Sequence, residues 1–382
     1  QTLRIYVAAP ELWWDICDED WGFAYHLERW FHRLLLEHLP AVVTASPDEA
    51  DFVYIPHCAM NIYLSWKQAR HRQASSPEAP EHGEGDQLHS AVLRDVDEKY
   101  LTAVVAPAAQ QNAAARACVA RTPRCRLLFV NMAFGRNELP SFTAAVGDAA
   151  VFVTTAGASP RLQGKAWRQA SLQGTQWRAQ CSCRSHCQPV LSLGPLDIVV
   201  PFNTGHNSTS GLTGLGGRRP LLAFFAGSNT SCSRDELVRR WSEEAALREH
   251  GVFVSGRSLK EPAFHRMARR SVFCLVPDGH WPATQRLASV VAKGCVPVVV
   301  SNRVELPWDD LVDWRQASLW LPESTIRELP EVLRRIGRQE IQSLQAHLPL
   351  LAEALDYHST RFHLLLLASL AARRNTPPEG AL

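Results

Sequence analysis

Two arginines and a glutamate stand where an apolar strand gives way to a helix, the position from which open α/β sheets bind ligands. In Val272-Phe-Cys-Leu-Val-Pro-Asp-Gly-His-Trp-Pro282 a buried strand ends at Pro277, and a turn containing Gly279 follows. Pro282 suits the first turn of a helix, where its missing N–H costs nothing. Free N–H groups at such a start attract phosphate. Arg286 lies one turn further on, and its planar fork can hold two oxygens of a diphosphate. Glu305 falls in the next strand-to-helix loop, where a carboxylate can accept both hydroxyls of a ribose. A surface ion pair between Arg286 and Glu305 is the competing reading. A second anion candidate, Phe225-Ala-Gly-Ser-Asn-Thr-Ser-Cys-Ser-Arg234, runs strand, small-residue loop, helix start. Gly227 and Ser228 let the backbone approach a ligand closely, and Arg234 supplies charge; an ordinary glycosylated loop is the alternative. The Gly-rich dinucleotide fingerprint and the P-loop are absent. The sequence requires no cofactor, points to no metal-binding residues and leaves the need for a divalent metal undecided.

The elements that must position these residues follow an α/β rhythm. Residues 3–7, 51–56, 127–131, 151–154 and 196–200 read as strands, with helices over 24–38 and 88–106 and an exposed loop over 70–87. Ala24, Leu27, Phe31, Leu34 and Leu35 recur at helical spacing. In the second half, 221–226, 251–255, 272–276 and 295–300 are apolar runs of the kind that a parallel sheet buries on both faces. Helices are predicted over 234–250, 261–270, 283–293, 325–337 and 340–372. Strands alternating with helices imply parallel sheets with helices on both faces. The Gly/Ser/Thr-rich run 203–220 is the sharpest shift in composition. The expected division is an α/β domain over 1–202, a joining loop 203–220, a second α/β domain over 221–345 and a helical segment 346–382.

The 382 residues are 46% apolar and 20% charged, a globular composition. Forty basic against thirty-eight acidic residues leave a net charge of +2, too balanced for a broad nucleic-acid footprint. No apolar run reaches the roughly 18–20 residues of a membrane span. Ten cysteines and two N-x-S/T sequons, at Asn207 and Asn229, favour a secretory lumen with both asparagines glycosylated. Cys181, Cys183 and Cys187 do not match paired zinc-knuckle spacing and read as disulfide material. Cys118 and Cys125 flank a short polar turn and can pair. Cys274 and Cys295 lie inside apolar strands and read as plain buried cysteines.

Phe273-Cys-Leu-Val-Pro-x-Gly279, the Arg-Leu helix after it, and Gly294-Cys-Val-Pro-Val-Val-Val-Ser-Asn-x-x-Glu-Leu-Pro-Trp308 together resemble the exostosin-like glycosyltransferases of family 47, in their plant and algal form. The likeness extends to 221–228 with Arg234, to 3–7, 28–35 and 44–56, to Asp313-Trp314 and to 322–333. The resemblance implies a GT-B fold, two Rossmann-like α/β domains facing a central cleft. The first domain is implied to hold a glycan or glycoprotein acceptor. The second is implied to hold a nucleotide sugar as co-substrate, most often a UDP-sugar. It further implies inverting transfer in the Golgi lumen by a type II enzyme, with the membrane anchor preceding Gln1; whether the chain forms a homo- or hetero-oligomer is left open by the sequence. Carried over by position, Arg286 and Arg234 sit on the diphosphate and Glu305 near the nucleoside. Gly227, Ser228, Pro277, Gly279 and Ser301 complete the donor set.

One stretch departs from the family. Members show Gly-Gly-Arg-Asp-His-Phe and often a later His-Asp pair; here the matching residues are Phe134-Gly-Arg-Asn-Glu138 and Thr154-Thr-Ala-Gly-Ala158. Inverting transfer needs a base for the acceptor proton, and Glu138, His57 and Asp148 are the candidates nearby. A non-catalytic partner subunit or glycan-binding relative is the alternative expectation. A generic two-domain solute-binding protein, closing on a hinge at 203–220, is a third.

Overall fold

The computed structural model describes the chain except residues 1, 9, 14, 20–26, 75–83, 133–135, 137, 156–192, 203–216, 280–284, 302–303 and 377–382. Two five-stranded sheets, every pair parallel, organise two compact units. The first sheet contains β1 (Ile5–Val7), β2 (Phe52–Tyr54), β3 (Arg126–Val130), β4 (Val151–Thr154) and β5 (Ile198–Val199), in that order. The second contains β6 (Leu221–Ala226), β7 (Val252–Ser255), β8 (Ser271–Pro277), β9 (Val296–Val300) and β10 (Leu319–Leu321), in the spatial order β10-β9-β8-β6-β7. This is the expected parallel α/β plan, in two units.

The helices that matter for the sites are α1 (Leu27–Arg33), α2 (Ala59–Ala74) and α3 (Pro140–Val146) in the first unit. In the second they are α4 (Cys232–Trp241), α5 (Glu244–His250), α6 (Glu261–Arg270), α7 (Arg286–Val291) and α8 (Arg338–Ala354). The last helix, α9, spans Thr360–Asn375. No helix among the described residues is long and apolar enough to cross a membrane.

β8 and β9, inside the second sheet, are buried on both faces, which is why they are continuous apolar runs. Side chains alternate across the sheet. Phe224, Ala226, Cys274 and Val276 pack with Leu287 and Val291 of α7, while Ala223, Phe225, Phe273 and Leu275 pack with Leu237 of α4.

The first unit holds 1–155, 191–199 and 367–382; among described residues the second holds 200–366. The segment 346–382 is thus divided between the units. Arg126 Nε donates to Arg373 O at 3.1 Å, and Arg373 reaches the carbonyls of Leu196 and Asp197, which fastens the chain's end to the first sheet. The single helix expected over 340–372 is two. Asp356 Oδ1 accepts the His358 N–H at 3.0 Å, and Ser359 Oγ accepts the Arg361 N–H at 3.0 Å, so these short polar side chains end one helix and start the next. α2 runs to Ala74, into the stretch expected as loop. The joining region 203–220 lies mostly outside the described residues.

Three disulfides join described residues: Cys17–Cys58, Cys118–Cys125 and Cys274–Cys295. The last corrects the reading of Cys274 and Cys295 as plain buried cysteines. Parallel pairing of β8 with β9 sets Phe273 opposite Val296, which brings the two sulfurs within reach. Cys181, Cys183 and Cys187 lie outside the described residues.

A buried ion pair braces the first unit. Asp197 accepts from Arg136 Nε at 2.9 Å and Nη2 at 2.8 Å, and from the N–H groups of Phe152 and Gly194 at 3.1 and 2.6 Å. Breaking such a pair from one side leaves an uncompensated buried charge. Asp197→Ala is expected to lower the unfolding free energy by about 3–5 kcal/mol, read from urea denaturation; a loss below about 1 kcal/mol contradicts this role for the pair.

Candidate functional site

The strand order of the second sheet reverses at β6. The chain passes from β6 to β7 on one side, then returns to β8 on the other. An open α/β sheet leaves a crevice beyond the carboxyl ends of its strands at such a switch point. The two arginines come from its two sides: Arg234 from α4 after β6, and Arg286 from the start of α7 after β8.

Both guanidiniums rest on Phe225, with Arg286 4.6 Å and Arg234 5.8 Å from the ring centroid. Arg286 Nη2 donates to Ala226 O at 2.5 Å. Arg234 Nη1 donates to Ser228 O at 3.1 Å and to Thr230 Oγ1 at 3.0 Å. Its buried Nε has no hydrogen-bond partner among the described residues. A Cβ on Gly227 would stand 2.0 Å from Arg286 Nη2, so only glycine lets the guanidinium lie against that turn. Ser231 Oγ accepts the Arg234 N–H at 3.3 Å, capping α4, and donates to Asp278 O at 2.8 Å. One hydroxyl therefore ties the loop after β6 to the loop after β8.

A pocket of about 430 Å³ opens beside these groups, lined by Ser228, Arg234, Glu261, His265 and Arg286 among others. Burial, then the like charge of Arg234, pulls the Arg286 guanidinium down to about 9. Burial pulls Arg234 down to about 10, with Asp278 acting in the opposite direction. Both remain cationic at neutral pH. Two poorly solvated like charges held together form an arrangement that an anion stabilises.

The other residues expected from the sequence to join them follow strands of the same sheet. Pro277 closes β8, and Gly279 follows Asp278. Ser301 Oγ accepts the Val304 N–H at 3.1 Å, turning the loop after β9 towards Glu305. One Glu305 carboxylate oxygen is shielded from solvent. Trp308 anchors that loop with φ 58° and an indole N–H on Ala354 O at 2.7 Å. Arg234, Arg286 and Ser228 line one pocket; Glu305, Ser301, Pro277 and Gly279 are not among its lining residues. The helix start at Pro282 lies outside the described residues, and α7 is described only from Arg286. Asn207 is likewise outside them. Asn229 is half-buried, and its Nδ2, the atom that would bear a glycan, donates to Asp235 Oδ1 at 2.8 Å.

The candidate bases belong to the first unit. His57 follows β2 and is buried against Phe129 and Phe142; burial drives its imidazole down to about 3, against a smaller upward pull from Asn131. It is neutral and weakly basic. Asp148 has a 98% exposed side chain, 4.0 Å from Arg136 Nη1. Glu138 is half-buried, with one carboxylate oxygen shielded from solvent.

Sequence reasoning missed Glu28, which reads there only as a polar residue on a helix. It is 2% exposed. Its carboxylate accepts the Met60 N–H at 3.1 and 3.3 Å and the Met132 N–H at 3.3 Å, so it clasps the segments after β2 and β3. Burial raises its carboxyl to about 8, against the pull of those two N–H groups. Only the fold, which brings residues 60 and 132 together, reveals this.

Residues 150–336 match the Exostosin GT47 domain. A probable glucuronoxylan glucuronosyltransferase of Arabidopsis thaliana is 33% identical over 153 residues, 37% of this chain and 32% of that protein. Exostosin-1 of Drosophila melanogaster is 32% identical over 115 residues, 30% of this chain and 15% of that protein. The chain thus spans about a third or less of the curated relatives it matches. Among solved structures, an α,α-trehalose 6-phosphate synthase from Burkholderia multivorans aligns over 97% of this chain and 98% of its own, with 12% identity and a TM-score of 0.40.

Gly227→Ala is expected to displace Arg286 and weaken pyrophosphate binding at least tenfold, with a change in melting temperature of a few degrees at most; unchanged affinity by titration calorimetry contradicts the close approach. Glu28 gives a pH signature. Its native value lies above the unfolded one, so its contribution is fully present below about pH 4.5 and lost as pH rises through about 8. The stability of the native chain is expected to fall between those values by up to roughly 1.4 kcal/mol per pH unit relative to Glu28→Gln. Parallel stability–pH curves for the two chains contradict the assignment.

Proposed function

We propose that this chain, whose residues 150–336 match the Exostosin GT47 domain, is a glycosyltransferase of the inverting kind that takes its sugar from a UDP-sugar. The observation that carries this reading is the pair of buried guanidiniums, Arg234 and Arg286, beside one pocket at the switch point of a parallel sheet. A sugar diphosphate is the ligand whose charge and forked oxygens match two arginines side by side.

In the proposed reaction the bond between the anomeric carbon and the diphosphate breaks, and a bond from that carbon to an acceptor hydroxyl forms on the opposite face. Negative charge grows on the departing diphosphate. Fixed cations aimed at that position stabilise the transition state more than the ground state. Gly227 and Ser228 keep the strand-end backbone close to the ligand. Glu305, shielded in the loop after β9, is assigned the ribose hydroxyls, with Pro277, Gly279 and Ser301 shaping the same edge.

The acceptor hydroxyl must lose its proton to a base. Glu138 fits this role best, since it is a half-buried acid beyond β3. His57 is held neutral by burial, and Asp148 stands in solvent. The acceptor is a glycan or glycoprotein, and the setting is the Golgi lumen, with a type II anchor in the full-length protein. Three disulfides among the described residues fit an oxidising compartment. The burial of His57 and exposure of Asp148 also favour a second reading, in which the chain binds a nucleotide sugar and serves as a non-catalytic partner.

Purified chain is expected to melt at higher temperature with one UDP-sugar from a panel of UDP-, GDP- and CMP-sugars, because a ligand binding only the folded state stabilises it. Arg286→Ala is expected to weaken UDP binding at least tenfold. Glu138→Gln is expected to lower kcat by roughly 10²–10⁴-fold with UDP affinity unchanged. UDP binding without transfer to any acceptor moves the assignment to the non-catalytic partner; no nucleotide binding by folded chain removes both.

A further inference from the structure

The pocket beside the two guanidiniums has room for more than a diphosphate. Its volume of about 430 Å³ is that of a whole small-molecule site. Beyond Arg234, Arg286 and Ser228, the wall includes Ser258, which follows β7, and Glu261, Phe264 and His265 of α6. Phe264 packs against Phe224 with ring centroids 5.2 Å apart, beside the cluster that buries Leu287 and Val291 of α7. That packing sets the roll of α6 about its axis. Glu261 and His265 are four residues apart and share one side of the helix, with Glu261 Oε1 3.9 Å from His265 Nδ1. The Ser228 and Ser258 hydroxyls approach to 3.5 Å, which joins the loops after β6 and β7. Glu261 therefore stands on a braced helix start, in the same cavity as both arginines. Its side chain is 57% exposed, open to a ligand.

The charges of this cavity exceed those that a diphosphate uses. The diphosphate of a nucleotide sugar carries two negative charges, one for each guanidinium. The carboxylate of Glu261 is left over. An ionised carboxylate accepts hydrogen bonds and donates none, and its two oxygens match two neighbouring hydroxyls. A carboxylate on the ligand would meet a like charge there, an arrangement that binding sites use to reject wrong partners. With the ribose assigned to Glu305, which is not among the lining residues, the ring that reaches this wall is the transferred sugar. Glu261 also has a structural neighbour. Lys293, 9% exposed, feels its charge.

On the UDP-sugar reading of this pocket, we infer that Glu261 selects the sugar: it accepts the hydroxyls of a neutral sugar and turns away one that carries a carboxylate.

UDP-glucose and UDP-glucuronate differ only in the group at carbon 6 of the sugar, as do UDP-galactose and UDP-galacturonate. Wild type, Glu261→Gln and Glu261→Lys are titrated calorimetrically with both pairs and with UDP, and their melting temperatures are recorded. Wild type is expected to bind the neutral member of at least one pair at least tenfold more tightly than its acidic counterpart. Glu261→Gln keeps the size and removes the charge, and is expected to shrink that ratio at least fivefold, with UDP affinity within twofold. Glu261→Lys is expected to reverse the preference. Each ratio is read within one chain, so lost contact with Lys293, which lowers the melting temperature, does not imitate the effect. Equal binding of both members of each pair by wild type overturns the inference, and so does a ratio unchanged in both variants. A loss of UDP affinity as large as the loss of UDP-sugar affinity overturns it too, since Glu261 then serves the nucleoside. UDP binding with an unchanged ratio leaves the UDP-sugar reading standing; folded wild type that binds no UDP removes that reading and the inference together.

Discussion

The site in the second unit depends on two like charges being held together out of water. Arg234 and Arg286 repel one another, and both are partly stripped of solvent. The fold holds them by geometry: a shared aromatic face at Phe225, a carbonyl for each guanidinium at Ala226 and Ser228, and a glycine where a side chain would collide. The parallel sheet makes this possible. Reversal of the strand order at β6 sends α4 and α7 to opposite faces, so their first turns meet only at the carboxyl edge. The Cys274–Cys295 disulfide and the Ser231–Asp278 hydrogen bond then tie the strands and loops beneath that edge.

The first unit is built differently. Its sheet runs β1 to β5 without reversal, so no strand-order switch marks a crevice. What distinguishes its carboxyl edge is a collection of buried polar groups, clasped by a carboxyl that burial keeps protonated near neutral pH.

Much of this was legible in the sequence, for a physical reason. Strands buried on both faces, such as β4, β8 and β9, become apolar runs, and nine of the ten strands among the described residues were expected from the sequence. The exception, β10, has only three residues, Leu319–Leu321, none of them fully buried, and carries no such signal. The arginines were legible because each follows a strand and a small-residue turn. Pairings across the sheets were not. Cys274 and Cys295 each look like core residues until strand register joins them. Arg136 and Asp197 are 61 residues apart, and neither announces the other. Glu28 sits in a helix that reads as ordinary, and its role exists only because the segments after β2 and β3 converge on it. Asp148 looked like a candidate base by its type, and the fold leaves it in solvent.

The central claim is that the two guanidiniums bind a diphosphate. The most direct measurement compares the affinities of UDP and uridine for the same folded chain at low and high salt. UDP is expected to bind at least a hundredfold more tightly than uridine, with a gap that narrows as salt screens the charges. Equal affinities, or a gap indifferent to salt, would contradict that claim.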